Sequence, residues 1–199
     1  MIYPPAPDAA RTRSTEGVCH QGRSRVGERL MIPITVTEIP SVSALRGSLA
    51  RASFWDAYEA PLRNGSLSPT EIALKSFGAT PPWVSWLMAL RNGLVRLVGL
   101  KSVGALAVRS DKPASAYRVG DRLGIFTIQA ISDAEILMGI DDRHLDVRVS
   151  IVKPEAGETP RYVVSTVVRV HNALGRLYML PVGRIHPLIV RAMMRRAVV

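Results

Sequence analysis

The residues best suited to chemistry lie on one predicted strand, the segment DDRHLDVRVSI over residues 141–151. Its polar side chains occupy alternate positions, so Asp142, His144 and Asp146 would share one face while aliphatic side chains fill the other. His171, at the end of a later predicted strand, would lie near them. Because histidine titrates near neutral pH, His144 or His171 is a candidate general base for a cyclase- or hydratase-type enzyme.

The same residues allow two other interpretations. His144, His171 and Asp146 have the composition of a metal-binding triad of two histidines and one carboxylate. Arg148 would crowd such a metal with positive charge, so no metal site is predicted. The remaining interpretation is a solvated sheet face crossed by ion pairs, since the short connections predict Glu135 opposite Arg148.

Other catalytic patterns are missing from the sequence. It contains no G-x-S-x-G nucleophile elbow and no glycine-rich phosphate loop, and no cofactor is predicted. The one cysteine, Cys19, cannot form an internal disulfide, which favours a cytoplasmic protein. His186 precedes Pro187 at a predicted helix start, and we interpret it as a cap or packing residue.

An arginine with an apolar setting lies in the segment TPPWVSWLMALRNGLVRLVGL, residues 80–100, which predicts a helix. A helical wheel puts Trp83 and Trp86 on its apolar face. Arg91 falls beside valines rather than on the polar side, so it would need a carboxylate or phosphate partner. Arg91 is therefore a candidate clamp for the acidic head group of a ligand, with a structural ion pair as the alternative.

The elements that must position these residues follow from periodicity. Residues 68–78 predict a short helix whose start, Ser68 with Glu71, is a capping box. Residues 31–40 predict a first strand, while residues 53–62 fit either an edge strand or a short helix. After Gly99, alternation of apolar and polar residues predicts about five strands, over residues 101–110, 122–131, 134–140, 143–153 and 161–172. Short connections, such as the Asp–Asp pair at 141–142, favour an antiparallel meander. Strands grouped apart from helices indicate an α+β fold.

The terminal segment predicts a closing helix in two parts. Pro181 would kink or break the run, and Pro187 would begin the second part at its first turn. The uninterrupted apolar length is too short for a membrane span. The antiparallel sheet has an apolar face that must be covered, and this helix is the expected cover.

Composition limits the classes of partner. The 199 residues carry a net charge of +10, but the charge is scattered without a run of five like charges, so nucleic acid is not predicted. Residues 1–30 are rich in proline, glycine, serine and arginine and lack an apolar signal region. We interpret them as a disordered tail, with residues 31–199 as a single domain.

Three longer stretches resemble a known family: PPWVSWLMALRNGLVRLVGLK, GIDDRHLDVRVSI and VHNALGRLYMLPVGRIHPLIVRAMMRR. They are similar to the bacterial family called domain of unknown function 2867 over roughly residues 40–197. The order of elements resembles the helix-grip fold of the START-like (SRPBCC) superfamily, in which a curved sheet wraps a long C-terminal helix around an apolar cavity. This resemblance implies a fold and, by analogy, a hydrophobic ligand, and it transfers no catalytic residue.

The implied cavity would hold a small apolar or amphipathic molecule. The residues predicted to wall it are Trp83, Trp86, Phe126, Met138, Tyr178 and Met193, and those predicted to meet a polar head group are Arg91, His144, Arg176 and Tyr178. A non-enzymatic accessory module for a reductase domain is a further hypothesis.

Overall fold

The computed structural model of the chain describes residues 33–78, 80–97, 112–154 and 159–197. All of these residues belong to the unit that spans residues 32–199. The predicted disordered tail and the predicted strand over residues 101–110 lie outside the described residues.

Within the described ranges, seven strands form one antiparallel sheet in the order β1-β2-β7-β6-β5-β4-β3. The strands are β1 (Thr35–Val36), β2 (Phe54–Pro61), β3 (Arg122–Leu123), β4 (Phe126–Ile131), β5 (Glu135–Asp141), β6 (Leu145–Val152) and β7 (Arg161–Val170). The helices are α1 (Pro69–Gly78), α2 (Pro82–Leu97) and α3 (Ala173–Ala197), with short 3₁₀ helices over Ala44–Arg51 and Ala114–Ala116. The prediction of an α+β fold with an antiparallel meander is confirmed.

The ambiguous segment at residues 53–62 is the strand β2. It pairs with β7 along its whole length, from Phe54 opposite Val168 to Pro61 opposite Arg161. The strand therefore joins an early part of the chain to a late one. A segment predicted as one strand, residues 122–131, is instead a tight hairpin of β3 and β4, because Gly124 turns the chain with a φ of 64°.

The capping box of α1 is confirmed. The Glu71 backbone N–H donates to the Ser68 hydroxyl at 3.2 Å, and the Ser68 N–H donates to the Glu71 carboxylate at 2.7 Å. These bonds from Ser68 hold the pKa of the Glu71 carboxyl below its usual value. Two otherwise unpaired helix donors are thus satisfied by one pair of side chains.

The terminal helix differs from its prediction, because α3 is one helix of 25 residues that contains both Pro181 and Pro187. It begins after Asn172, whose side-chain oxygen accepts from the Gly175 N–H at 3.1 Å, and not at Pro187. Each proline removes one backbone hydrogen bond. The C-terminal part of the helix is held by burial of Val190, Met193 and Met194 in the core.

The predicted register between β5 and β6 is wrong by four residues. Glu135 lies opposite Val152, and Arg148 lies opposite Gly139. The prediction took the Asp–Asp pair as the whole connection, but the turn extends to His144, with the Asp142 N–H donating to the Leu145 carbonyl at 3.1 Å. Arg148 consequently pairs with Asp141 at 2.5 Å rather than with Glu135.

The sheet is covered on both faces. Its inner face, packed against α1 and α3, carries the larger core, to which β6 contributes Val147, Val149 and Ile151. Leu145 lines the cavity on the same face, as the alternation of β6 predicts. Its outer face packs on the 3₁₀ helix Ala44–Arg51 in a smaller core of Ile39, Leu45, Ala57, Val163 and Val167. In the part of the chain that the structure describes, no helix combines the length and apolarity needed to cross a membrane.

Candidate functional site

A cavity of about 420 Å³ lies between the inner face of the sheet and α3, with residues of α1 and α2 also contributing to its wall. Its wall is mainly apolar, from side chains of β2, β6, β7 and α3. The polar side chains in the wall of the described residues are Ser76, Asp142, Thr166, Tyr178 and His186. Such a wall, with few polar groups, is the usual form of a small-molecule site.

Short side chains on the sheet explain why space remains. The inward positions of β6 and β7 that line the cavity are mostly valine or threonine, among them Val147, Val149, Val164 and Thr166. Branched residues suit a strand, but they extend only a short distance from it. Larger side chains of α3, such as Ile185 and Ile189, face these short residues across the cavity. The space between the sheet and the helix is therefore left partly unfilled.

A histidine and a carboxylate form a pair in the wall of this cavity. Asp56 is on β2, opposite Thr166 of β7, and its Oδ2 lies 2.6 Å from Nδ1 of His186 on α3. The His186 ring also packs edge-on against Phe54, with 5.6 Å between ring centres. Because a carboxylate only accepts hydrogen bonds, Nδ1 carries the proton of this bond, and Nε2 is the ring nitrogen left for another partner.

Tyr58 and Arg191 continue this polar region along β2 and α3. The Arg191 guanidinium lies over the Tyr58 ring, 5.3 Å from its centre. Burial and the negative charge of Asp56 raise the pKa of the Tyr58 phenol, although Arg191 acts in the opposite direction. Tyr58 is therefore a neutral group beside the His186–Asp56 pair at physiological pH.

A second polar region lies at the β5–β6 turn. His144 is 1% exposed, its ring packs edge-on against Tyr178 at 5.8 Å, and its Nδ1 lies 3.3 Å from Asp142 Oδ2. That contact is within ion-pair distance but off the line of a hydrogen bond, and neither ring nitrogen hydrogen-bonds any described residue. The first turn of α3 closes over this site, since a side chain at Gly175 would meet the His144 carbonyl at 2.2 Å.

The structure brings some of the predicted wall residues together. Phe126, Tyr178 and Met193 line the cavity. Met138 is fully buried in the core, outside the residues that line it, and His144 lies behind Tyr178. Arg176 is exposed on the first turns of α3.

The prediction for α2 was wrong for its two tryptophans. Trp83 and Trp86 are 43% and 63% exposed and lie outside the cavity wall, whereas Val84 and Met88 of the same helix line it. Apolar residues occur on both sides of this helix, so its periodicity did not identify the buried side. The side chain of Arg91 lies outside the described residues, and the predicted clamp with it.

The second histidine proposed as a base is on the other side of the sheet. His171 Nε2 lies 2.9 Å from Asp146 Oδ2. Because Leu145 and Val147 line the cavity and side chains alternate along a strand, Asp146 between them points to the opposite face of the sheet. Across the described ranges, no three side chains of the metal-binding kinds form a group that could hold an ion, so the triad of His144, His171 and Asp146 is not assembled.

Sequence reasoning missed His186 and Asp56. A continuous terminal helix would have revealed the histidine, because Val182, Val190 and Met193 lie four residues before, four after and seven after it on one face. The break predicted at Pro187 hid that spacing. Asp56 gave no local signal, since its partner is 130 residues away in the chain.

Fold and cavity together define an α+β protein in which a C-terminal helix covers an antiparallel sheet over an apolar cavity. The family described as "Protein of unknown function (DUF2867)" matches residues 48–193, and the chain belongs to this family, as the sequence predicted. The match includes both Asp56 and His186. No curated protein matches the chain.

Proposed function

We propose that the protein binds a small apolar or amphipathic molecule in the cavity between the sheet and α3. The observation that carries the proposal is the unfilled apolar volume of about 420 Å³. The cavity is partly open at the surface, and its volume falls within the range of small-molecule pockets, which begin at about 300 Å³. An occupant would recover the contacts that the short side chains of β6 and β7 leave unmade.

We also propose that the fold is of the helix-grip, START-like kind. The support is the strand order, in which β2 pairs with β7, together with a helix pair between β2 and β3 and a long terminal helix that packs on the inner face. In this proposal the cavity is an intrinsic feature of the fold and not a packing defect.

Binding can be tested with the purified full chain and the neutral fluorophore N-phenylnaphthylamine, whose emission rises in apolar sites. The cavity variant is Ile189→Trp, because Ile189 lines the cavity. The matched control is Leu188→Trp, because the adjacent Leu188 is 60% exposed. We expect saturable binding that weakens at least about tenfold in the first variant and is unchanged in the second. Absence of binding, or equal binding by both variants, would overturn the proposal.

Native mass spectrometry of the same preparation gives an independent readout. We expect a co-purified small molecule in the wild type that the Ile189→Trp variant loses and the Leu188→Trp variant keeps. The hypotheses of a cyclase- or hydratase-type enzyme and of a reductase accessory stay predictions from sequence, and the position of His171 outside the cavity gives the first of them no support through that residue.

A further inference from the structure

We infer that the His186–Asp56 pair is the head-group site of this cavity, and that it selects an amphipathic molecule with a neutral hydroxyl group, such as a phenol or an alcohol. This inference rests on the proposed function, since it names the chemistry of the occupant. It is carried by the position of His186, by the hydrogen bond that occupies its Nδ1 and by the charges in the cavity wall.

The position of His186 places a polar group within an apolar wall. Val182 and Ile189, on the neighbouring turns of α3, line the cavity on either side of it. On the sheet, Thr166 of β7 lies opposite Asp56 in the strand register and contributes a hydroxyl to the cavity wall. An occupant that contacts His186 is therefore also close to a second hydrogen-bonding group.

The hydrogen bond to Asp56 decides which nitrogen is available. Nδ1 is committed to the carboxylate at 2.6 Å, and Nε2 makes no hydrogen bond to the described residues. Nε2 accepts a hydrogen bond in one protonation state of the ring and donates one in the other, and a hydroxyl group can make either bond. The same hydroxyl can also hydrogen-bond the Thr166 side chain.

The charges in the wall favour a neutral head group over an anion. Among the described residues that line the cavity there is no lysine or arginine, while Asp142 is present and Asp56 lies directly behind His186. Arg191, the nearby cation of α3, lies over the Tyr58 ring and is not among the residues that line the cavity. A carboxylate in the cavity would therefore lose its hydration without contacting a lysine or arginine of the wall, whereas a neutral hydroxyl loses less hydration.

The His171–Asp146 pair provides an internal comparison. It has the same two residue types at a similar distance, 2.9 Å, but it is on the outer face of the sheet, and neither residue lines the cavity. Substitutions there test whether any effect at His186 comes from the cavity or from the loss of a histidine–carboxylate pair in general.

The experiment measures the affinities of 2-naphthol, naphthalene and 2-naphthoate, which share one ring system and differ in the head group. Wild type is compared with His186→Asn, whose amide still donates to Asp56 but which lacks a group at the Nε2 position. A second variant, Asp56→Asn with His186→Phe, avoids a buried unpaired carboxylate. The control is His171→Asn, and circular dichroism verifies that each variant is folded.

We expect wild type and the His171→Asn control to bind 2-naphthol about tenfold more tightly than naphthalene, as expected for one buried hydrogen bond. 2-Naphthoate should bind less tightly than 2-naphthol. Both His186 variants should bind naphthalene as wild type does, with the preference for 2-naphthol reduced to about twofold or less.

The two proposals fail in different ways. If wild type binds neither naphthalene nor N-phenylnaphthylamine, the proposed function is wrong, and the head-group site is lost with it. If wild type binds naphthalene but binds 2-naphthol no more tightly, only the head-group site is wrong. The same holds if both folded His186 variants still bind 2-naphthol more tightly than naphthalene. Tighter binding of 2-naphthoate than of 2-naphthol would overturn the choice of a neutral hydroxyl.

Discussion

Val163 and Val164 are neighbours on β7, yet their surroundings differ. Val163 points to the outer face and packs with Leu45 and Ala57, while Val164 points inward and lines the cavity. The outer cover is a short 3₁₀ helix that approaches the sheet closely, with Leu45 only 1% exposed. The inner cover is a long helix held above short side chains. Whether a sheet face closes or keeps a cavity therefore depends on the covering element and on the length of the side chains between.

Polar anchors also differ between the two faces. On the outer face, the Glu135 carboxylate accepts from the Ser43 hydroxyl at 2.6 Å, the Ser150 hydroxyl at 2.5 Å and the Ala44 N–H at 3.0 Å. These bonds attach the start of the 3₁₀ helix to β5 and β6. On the inner face, the Tyr162 hydroxyl donates to the Met194 carbonyl at 2.8 Å near the end of α3. The outer anchor thus joins its 3₁₀ helix to one end of β5 and β6, whereas on the inner face α3 is bonded to the sheet through Tyr162 and through the His186–Asp56 pair.

The largest effect is expected from Leu45→Ala on the outer face. The side chain is fully packed, so its loss should lower the free energy of unfolding by about 2–5 kcal/mol. Urea denaturation measures the change. The exposed Leu188→Ala should change it by less than about 0.5 kcal/mol. A small effect of Leu45→Ala would mean that the outer face is not closely packed.

Glu135→Gln is expected to have the next largest effect. An amide keeps one acceptor oxygen but turns an N–H₂ group toward donors, so the free energy of unfolding should fall by about 1.5–3 kcal/mol. The same urea titration applies, with the exposed Glu38→Gln as its control. If both variants unfold alike, the carboxylate does not anchor the 3₁₀ helix.

Val163→Leu and Val164→Leu test the two faces with one added methylene group. The outer variant should be destabilised by about 1–3 kcal/mol, because a filled core resists overpacking. The inner variant should change by less than about 1 kcal/mol, because the group enters the cavity. Equal destabilisation of both variants would contradict the difference in packing.

Tyr162→Phe should cost about 1 kcal/mol at neutral pH, through loss of its bond to the Met194 carbonyl. Burial raises the pKa of the Tyr162 phenol well above its ordinary value of 10.0. The folded state therefore favours the neutral phenol, and its stabilisation is complete below pH 10 and is lost as pH rises further. Unfolding measured at pH 8 and above pH 10 should show a smaller alkaline loss in the variant than in wild type.

Local features were predictable from sequence, and long-range ones were not. The capping box of Ser68 and Glu71 lies within one helical turn, and the alternation in β6 lies within one strand, so both could be read directly. The predicted register of β5 and β6 was wrong because the turn geometry depends on hydrogen bonds around Asp142 rather than on turn composition. The predicted orientation of Trp83 was wrong because both sides of α2 are apolar, and only tertiary packing determines which side is buried.

The pairing of β2 with β7 also has a consequence for the order of folding. Asp56 is synthesised 130 residues before His186, and the strand that carries it joins the sheet through β7. The meander and α3 can assemble from contacts that are closer in sequence, whereas this join must close a long loop. The cavity and its polar pair therefore exist in the fully assembled chain alone. A molecule that binds there stabilises that state selectively, by about 2.7 kcal/mol when its concentration is a hundredfold above its Kd.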